Sequence, residues 1–170
     1  MNIYKITLLA LLAALAIVGR VSFAFLPNVQ PVTAVIIICG LILGPLSAAL
    51  LAILTTFLSN MILGTGIWTL WQIISWIIIG LLSGLLGKIP KKIPVILLAV
   101  FGVFSGYFYG LIVSLTNYQI TGQNFYVYYL AGLPFDTYHA IGNAIFILVM
   151  YPIIYHFLKK YAKERFELQR

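Results

Sequence analysis

The chain has 170 residues, of which 63% are hydrophobic and only 8% charged, and its mean hydropathy is +1.10. A soluble globular domain does not have this composition, so the chain reads as an integral membrane protein. The net charge of +7 does not point to nucleic acid, because the basic residues sit at the ends of apolar segments and form no stripe with interleaved aromatics. The apolar runs are too long for barrel strands and show little strict alternation, which predicts an all-α bundle. At about 20 residues per span, the chain has room for six transmembrane helices in a single membrane domain over residues 1–170.

The first segment is predicted from about Tyr4 to Leu26 and is expected to stay as a span, since no A-x-A site followed by a polar stretch marks a cleavable leader. Pro27-Asn28-Val29-Gln30-Pro31 then breaks the helix and makes a first outer loop. Val32 to Leu63 is too long for one span, and Gly44-Pro45 is its strong breaker. Division there leaves a first half of about a dozen residues, short of a full crossing, and a second half from Leu46 to Leu63 that is long enough. Short, Gly/Pro-interrupted spans point to a membrane binding cavity. The fourth span is predicted over Ile67 to Gly87 and the fifth over Val95 to Thr116, joined by the basic loop from Lys88 to Pro94. Asn117 to Pro134 reads as the longest connection, a headgroup-level segment or lid rich in Tyr118, Phe125, Tyr126, Tyr128 and Tyr129. The sixth span is predicted from Asp136 to Leu158.

Lys5, Lys88, Lys91, Lys92, Lys159, Lys160, Lys163, Arg165 and Arg170 all fall on one side of this six-span arrangement. The positive-inside rule makes that side cytoplasmic and places both termini there. Arg20 is the exception, lying roughly 22 Å above Lys5 along a helix. Asp136, the only acidic residue outside the tail, is expected at the same outer depth, so an Arg20–Asp136 pair and a ligand contact are both open, as is simple snorkelling of Arg20 toward headgroups. The single Cys39 permits neither a disulfide nor a thiolate metal cluster within one chain.

On a helix, Asp136, His139 and Asn143 fall within an arc of roughly 60°. A carboxylate, an imidazole and a carboxamide in lipid are costly to desolvate, which directs this face to a bundle interior or a wet cavity. Asp136 also suits an N-cap after Pro134. Trp68, Trp71, Gln72 and Ser75 share an arc of roughly 100° at the outer end of span four, as a pocket wall or an aromatic belt. Asn28, Gln30, Asn60, Asn117 and Tyr118 add further polar groups at that depth, with Gln119 and Asn124 beside them. The candidate substrate-binding set is therefore Arg20, Asn28, Gln30, Asn60, Trp68, Trp71, Gln72, Asn117, Tyr118, Asp136, His139 and Asn143. Ala10 and Ala14 form a small-x-x-x-small pair suited to close helix packing, against a partner or within the bundle. By angle they lie about 100° from Arg20.

No G-x-S-x-G, H-E-x-x-H, carboxylate pair or phosphate-binding Gly-rich loop occurs, so the chain reads as neither an enzyme nor an ATPase. A small intramembrane enzyme or a gradient-driven transporter, with a proton relay through Asp136 and His139, is the rival class.

Three places carry a family resemblance: the alanine-rich first span Ala10-Leu11-Leu12-Ala13-Ala14-Leu15, the Gly44-Pro45 break followed by Ser47 to Ala49, and the stretch from Pro134 to Asn143 with Pro152 beyond. With their order in six spans, the chain resembles the substrate-binding S component of an energy-coupling factor (ECF) vitamin transporter. The resemblance implies a bundle that captures a micronutrient at its outer side and docks on a membrane scaffold subunit and two ATPase subunits. It further implies that Ala10 and Ala14 meet the scaffold and that no cofactor is held other than the transported vitamin. The loop from Leu26 to Pro31 and the tryptophan-bearing fourth span are most similar to the cobalamin-specific type. A corrinoid periphery of amides with one phosphate would suit the aromatic wall, the amides and Arg20; a smaller heterocyclic vitamin or a precursor would suit the same residues.

Overall fold

The computed structural model describes residues 2–90, 93–122, 124–162 and 165 as six helices: α1 (Ile3–Ser22), α2 (Val32–Leu43), α3 (Pro45–Leu63), α4 (Trp68–Gly87), α5 (Val95–Thr121) and α6 (Phe125–Ala162). All but α2 are long and apolar enough to cross a membrane. Asn2 starts α1 by accepting from the Tyr4 N–H at 3.0 Å, one of the free donors of a first turn. The helix ends at Ser22, four residues before its expected end, because Phe23 to Leu26 close into turns ahead of Pro27.

At 1.5 Å per residue the twelve-residue α2 is about 18 Å long, against a hydrocarbon core of about 30 Å. It lies at the centre, in contact with all five other helices, and every residue from Val32 to Leu43 is buried. A helix whose side chains are apolar apart from Thr33 and Cys39 needs this position, since it has no broad polar face to turn elsewhere. Gly44, at φ 93°, ends it and Pro45 opens α3; a left-handed φ is open to glycine, and proline's missing N–H is harmless at the first helical position. At the same end Lys5 Nζ donates to the Leu43 carbonyl at 2.8 Å, a cation on a helix C-terminus.

Residues near the two ends of the described chain meet there too. Asn2 Nδ2 donates to the Arg165 carbonyl at 2.9 Å, and the Arg165 guanidinium stacks on Tyr161 and Tyr4 at 4.6 and 5.6 Å. Arg20 stands at the opposite end of α1. Of the expected basic end, Lys91, Lys92, Lys163 and Arg170 lie outside the described residues.

The segment from Asn117 to Pro134 is not the long connection expected from its composition. Helix α5 continues to Thr121, Gly122 at φ 67° stops it, and α6 begins at Phe125. Asn124 caps the new helix, its Oδ1 accepting from the Tyr126 N–H at 2.9 Å and the Val127 N–H at 3.4 Å. Pro134 sits inside α6 rather than before it, and Thr137 Oγ1 occupies the Leu133 carbonyl in the adjoining turn at 2.8 Å. Packed neighbours and hydroxyls sustain such prolines in membrane helices. Asp136 is accordingly no N-cap: it lies eleven residues beyond the start of α6. At their lengths, α5 and α6 run about 40 and 57 Å, both exceeding the bilayer core.

Small residues set the closest helix approaches. Gly102, Gly106 and Gly110 form one stripe of α5 against Ile147, Ala140 and Asp136 of α6, so that a Cβ at Gly106 would lie 2.7 Å from the Ala140 backbone. On α4, Gly80 packs on Ala48 and Gly84 on Pro45. In lipid, such contacts supply the dispersion energy that holds helices together.

Candidate functional site

Arg20 comes from the last turn of α1, and α3 meets it with neutral groups. The guanidinium Nη1 donates to Ser59 Oγ and, at 2.8 Å, to Asn60 Oδ1. Its Cζ lies 5.3 Å from the Trp76 ring centroid, a cation–π contact of about 0.5–2 kcal/mol. Asp136, one of the partners left open by sequence, is not among these: among the described residues no carboxylate pairs with Arg20. The charge is desolvated, with 8% of the residue exposed, and its surroundings offer dipoles and a π-face rather than a counterion.

Asn60 passes this arrangement on to α4. Its Nδ2 donates to Thr69 Oγ1 at 2.9 Å and to Gln72 Oε1 at 2.8 Å, so both amide donors are used toward α4 while the carbonyl accepts from α1. One turn deeper on α4, Trp76 is fully buried and its Nε1–H donates to Thr33 Oγ1 at 2.9 Å. His139 Nε2 lies 2.9 Å from the same hydroxyl. Tyr109 of α5 covers both rings, 5.1 Å from Trp76 and edge-on to His139 at 4.9 Å. Thr33 belongs to α2, so the central helix ties α4 to α6 through one hydroxyl.

Above this buried layer the helices part and leave a cavity of two lobes at the Arg20 end. The smaller, about 280 Å³, is lined by Arg20, Phe23, Gln30 and the Pro27–Asn28 turn. The larger, about 430 Å³, is lined by Trp68, Val113, Ser114, Tyr128, Phe135 and Asp136. Asn28, Gln72 and Tyr109 border both, so the two lobes adjoin at these residues. Asn28 holds its place there with φ 56°, a left-handed conformation that asparagine tolerates better than most residues. Asp136 is 5% exposed and seated against Gly110, and its Oδ2 has no hydrogen-bond partner.

The expected polar face of α6 is therefore divided by depth. Asp136 reaches the cavity, His139 lies in the layer beneath it, and Asn143 is fully buried, with Nδ2 donating to the Gly102 carbonyl of α5 at 3.1 Å. Gln30, Asn28, Trp68 and Gln72 line the lobes, while Asn60 stands behind Arg20. Trp71 lines neither lobe and is half-buried. Tyr118 is exposed near the α5–α6 tip, edge-on to Phe125 at 6.2 Å, and the Asn117 side chain lies outside the described residues. Thr33, Ser59, Trp76 and Tyr109 were not singled out from sequence. Trp76 carried a signal, being one helical turn from Gln72 on the same face; Tyr109 carried none beyond its aromatic neighbours.

Among the described residues no three His, Cys, Asp or Glu side chains gather to hold a metal ion, and Cys39 is buried within α2. The Thr33 hydroxyl and the His139 imidazole pair with each other but are buried beneath the lobes and line neither. The lobes themselves offer hydrogen bonds, one cation, one carboxylate and aromatic faces, which are means of binding. Comparison with curated proteins and with solved structures found no match. A match to a family model, described as ECF transporter, substrate-specific component, covers residues 4–167. The chain therefore belongs to the substrate-specific components of ECF transporters, as a substrate-binding, multi-pass subunit of the cell membrane that is not an enzyme, in a family that works with a scaffold subunit and ATPases.

Proposed function

We propose that this subunit captures a vitamin from outside the cell in the two-lobed cavity and delivers it through an ECF scaffold energised by two ATPase subunits. The observation that carries this reading is the cavity at the Arg20 end, where polar groups from α1, α4 and α6 converge between aromatic walls. The positive-inside rule puts the Lys5 end and both termini in the cytoplasm, which turns the cavity outward.

The resemblance to cobalamin-specific S components makes cobalamin or a corrinoid precursor one candidate. The cavity favours a second: lobes of about 280 and 430 Å³ suit a smaller heterocyclic vitamin, and a corrinoid would seat only an edge in them.

Docking is assigned to Ala10 and Ala14. Both are exposed on α1, whereas Ala13 and Ala16 are buried against the bundle, so the pair offers a shallow face on which another helix can approach closely. Ala10→Trp/Ala14→Trp protein should still bind vitamin when purified, yet lose ATP-dependent uptake and co-purification with scaffold and ATPases. Normal transport by this double variant would refute the docking face, and wild-type protein that never joins such partners would refute the transport reading.

A further inference from the structure

The two lobes differ in what they lack. Arg20 borders the smaller lobe, buried, with hydrogen bonds to neutral Ser59 and Asn60 and its face on Trp76. A desolvated guanidinium with no counterion among the described residues has its charge left for an anion, and its planar fork fits carboxylate and phosphate alike. Asp136 is part of the lining of the larger lobe, and its Oδ2, itself buried, has no hydrogen-bond partner. A carboxylate in that position needs N–H donors. Trp68, Tyr128 and Phe135 give the same lobe flat apolar walls, which suit a ring held by stacking. Asn28, Gln72 and Tyr109 border both pockets, so the two adjoin, and a molecule lying across these three residues touches both charged ends.

We infer that the ligand is two-ended: a heterocycle bearing N–H donors sits in the larger lobe against Asp136, and a carboxylate or phosphate of the same molecule sits in the smaller lobe against Arg20. This rests on the reading of the cavity as the capture site. The orientation follows from the residues, since the reverse would set anion against carboxylate and donor against guanidinium. Binding compensates both buried charges at once, whereas a ligand with one functional end leaves the other charge uncompensated.

The test uses matched probes on the purified full chain, read by tryptophan fluorescence. Folic acid against pterin varies a carboxylate-bearing tail, and flavin mononucleotide against riboflavin and thiamine phosphate against thiamine vary a phosphate; cyanocobalamin adds a phosphodiester, and lipoic acid an anion without N–H donors. At least one anion-bearing heterocycle should bind, and about 10- to 100-fold tighter than its partner without the anion, the usual worth of a charge-assisted hydrogen bond. Which arm responds distinguishes carboxylate from phosphate. Asn60→Asp places a carboxylate on the guanidinium in situ and should abolish the preference for the anionic member, while Asp136→Asn should weaken every heterocyclic probe that binds by about tenfold or more.

Equal affinity within a matched pair, lipoic acid as the tightest probe, no binding by any probe, or an Asn60→Asp protein that keeps the preference would each overturn the inference. The wild-type panel needs no variant, so a misfolded mutant cannot shield the idea. If the preferences hold but no scaffold and ATPases drive uptake, the transport reading fails and the ligand class stands. ATP-driven uptake of riboflavin, thiamine or pterin in preference to its anionic partner overturns the class and leaves the transport reading intact.

Discussion

Replacing Gly106 with alanine places a methyl group on the line where α5 and α6 lie closest. Its Cβ would fall 2.7 Å from the Ala140 Cα and N and 3.0 Å from its Cβ, whereas carbon atoms rest at about 3.5–4.0 Å. The obstructing atoms are backbone and Cβ, which no rotamer change can move, so the helices must part by about 1 Å. Overpacking of this kind costs about 1–3 kcal/mol, and alanine's better helix propensity returns about 1 kcal/mol. The expected result is a net loss of up to about 2 kcal/mol, or a fall of a few degrees in melting temperature at about 2–4 °C per kcal/mol for a chain of this size. Gly142→Ala, on α6, is the control: its added Cβ meets Val29 Cγ1 at 3.5 Å, ordinary contact, so only the propensity gain remains and the melting temperature should hold or rise. Both variants would be measured in one detergent by tryptophan fluorescence on heating. A Gly106→Ala protein as stable as Gly142→Ala would refute the claim that the glycine stripe sets the α5–α6 distance.

Trp76→Phe and Thr33→Val each remove part of the bridge from α4 through α2 to α6 and should each cost about 1 kcal/mol of stability; because they share one hydrogen bond, the double variant should cost less than the sum by at least about 0.5 kcal/mol, and strict additivity would dissolve the network. Sidedness is checked by cysteine labelling, for which buried Cys39 gives a silent background. A cysteine at Asn124 should react with an impermeant maleimide in intact cells and one at Arg165 should not; the reverse pattern would invert the proposed orientation.

Helix number and the broken second span were legible because they depend on local chain properties, apolar length and the Gly44-Pro45 breaker. Pro134 misled for the same reason: the rule that proline ends helices weighs only the missing hydrogen bond, while Gly122 and Asn124, weaker signals in composition, mark the actual stop and start. The face of Asp136, His139 and Asn143 was correct in angle and incomplete in depth. Seven residues along a helix are about 10 Å, enough to carry Asn143 from the cavity down to the α5 backbone. The partners of Arg20 could not be read at all, since Ser59 and Asn60 are some forty residues distant in sequence and reach it only through the register of α1 on α3. Helical periodicity states which way a side chain points, and gives nothing on what stands opposite.

The shortness of α2 constrains how the protein enters its membrane. A free helix of about 18 Å leaves its terminal backbone groups inside hydrocarbon, without water or partners. In the finished bundle Lys5 covers the Leu43 carbonyl, and Thr33 is engaged by Trp76 and His139, groups drawn from α1, α4 and α6. Until those helices are in place the ends of α2 lack these partners, and its enclosure is complete only when α6 packs against it. A chain truncated before His139 would then hold its other spans across the bilayer while leaving Val32–Leu43 without a home, and quality-control proteases would meet that segment first.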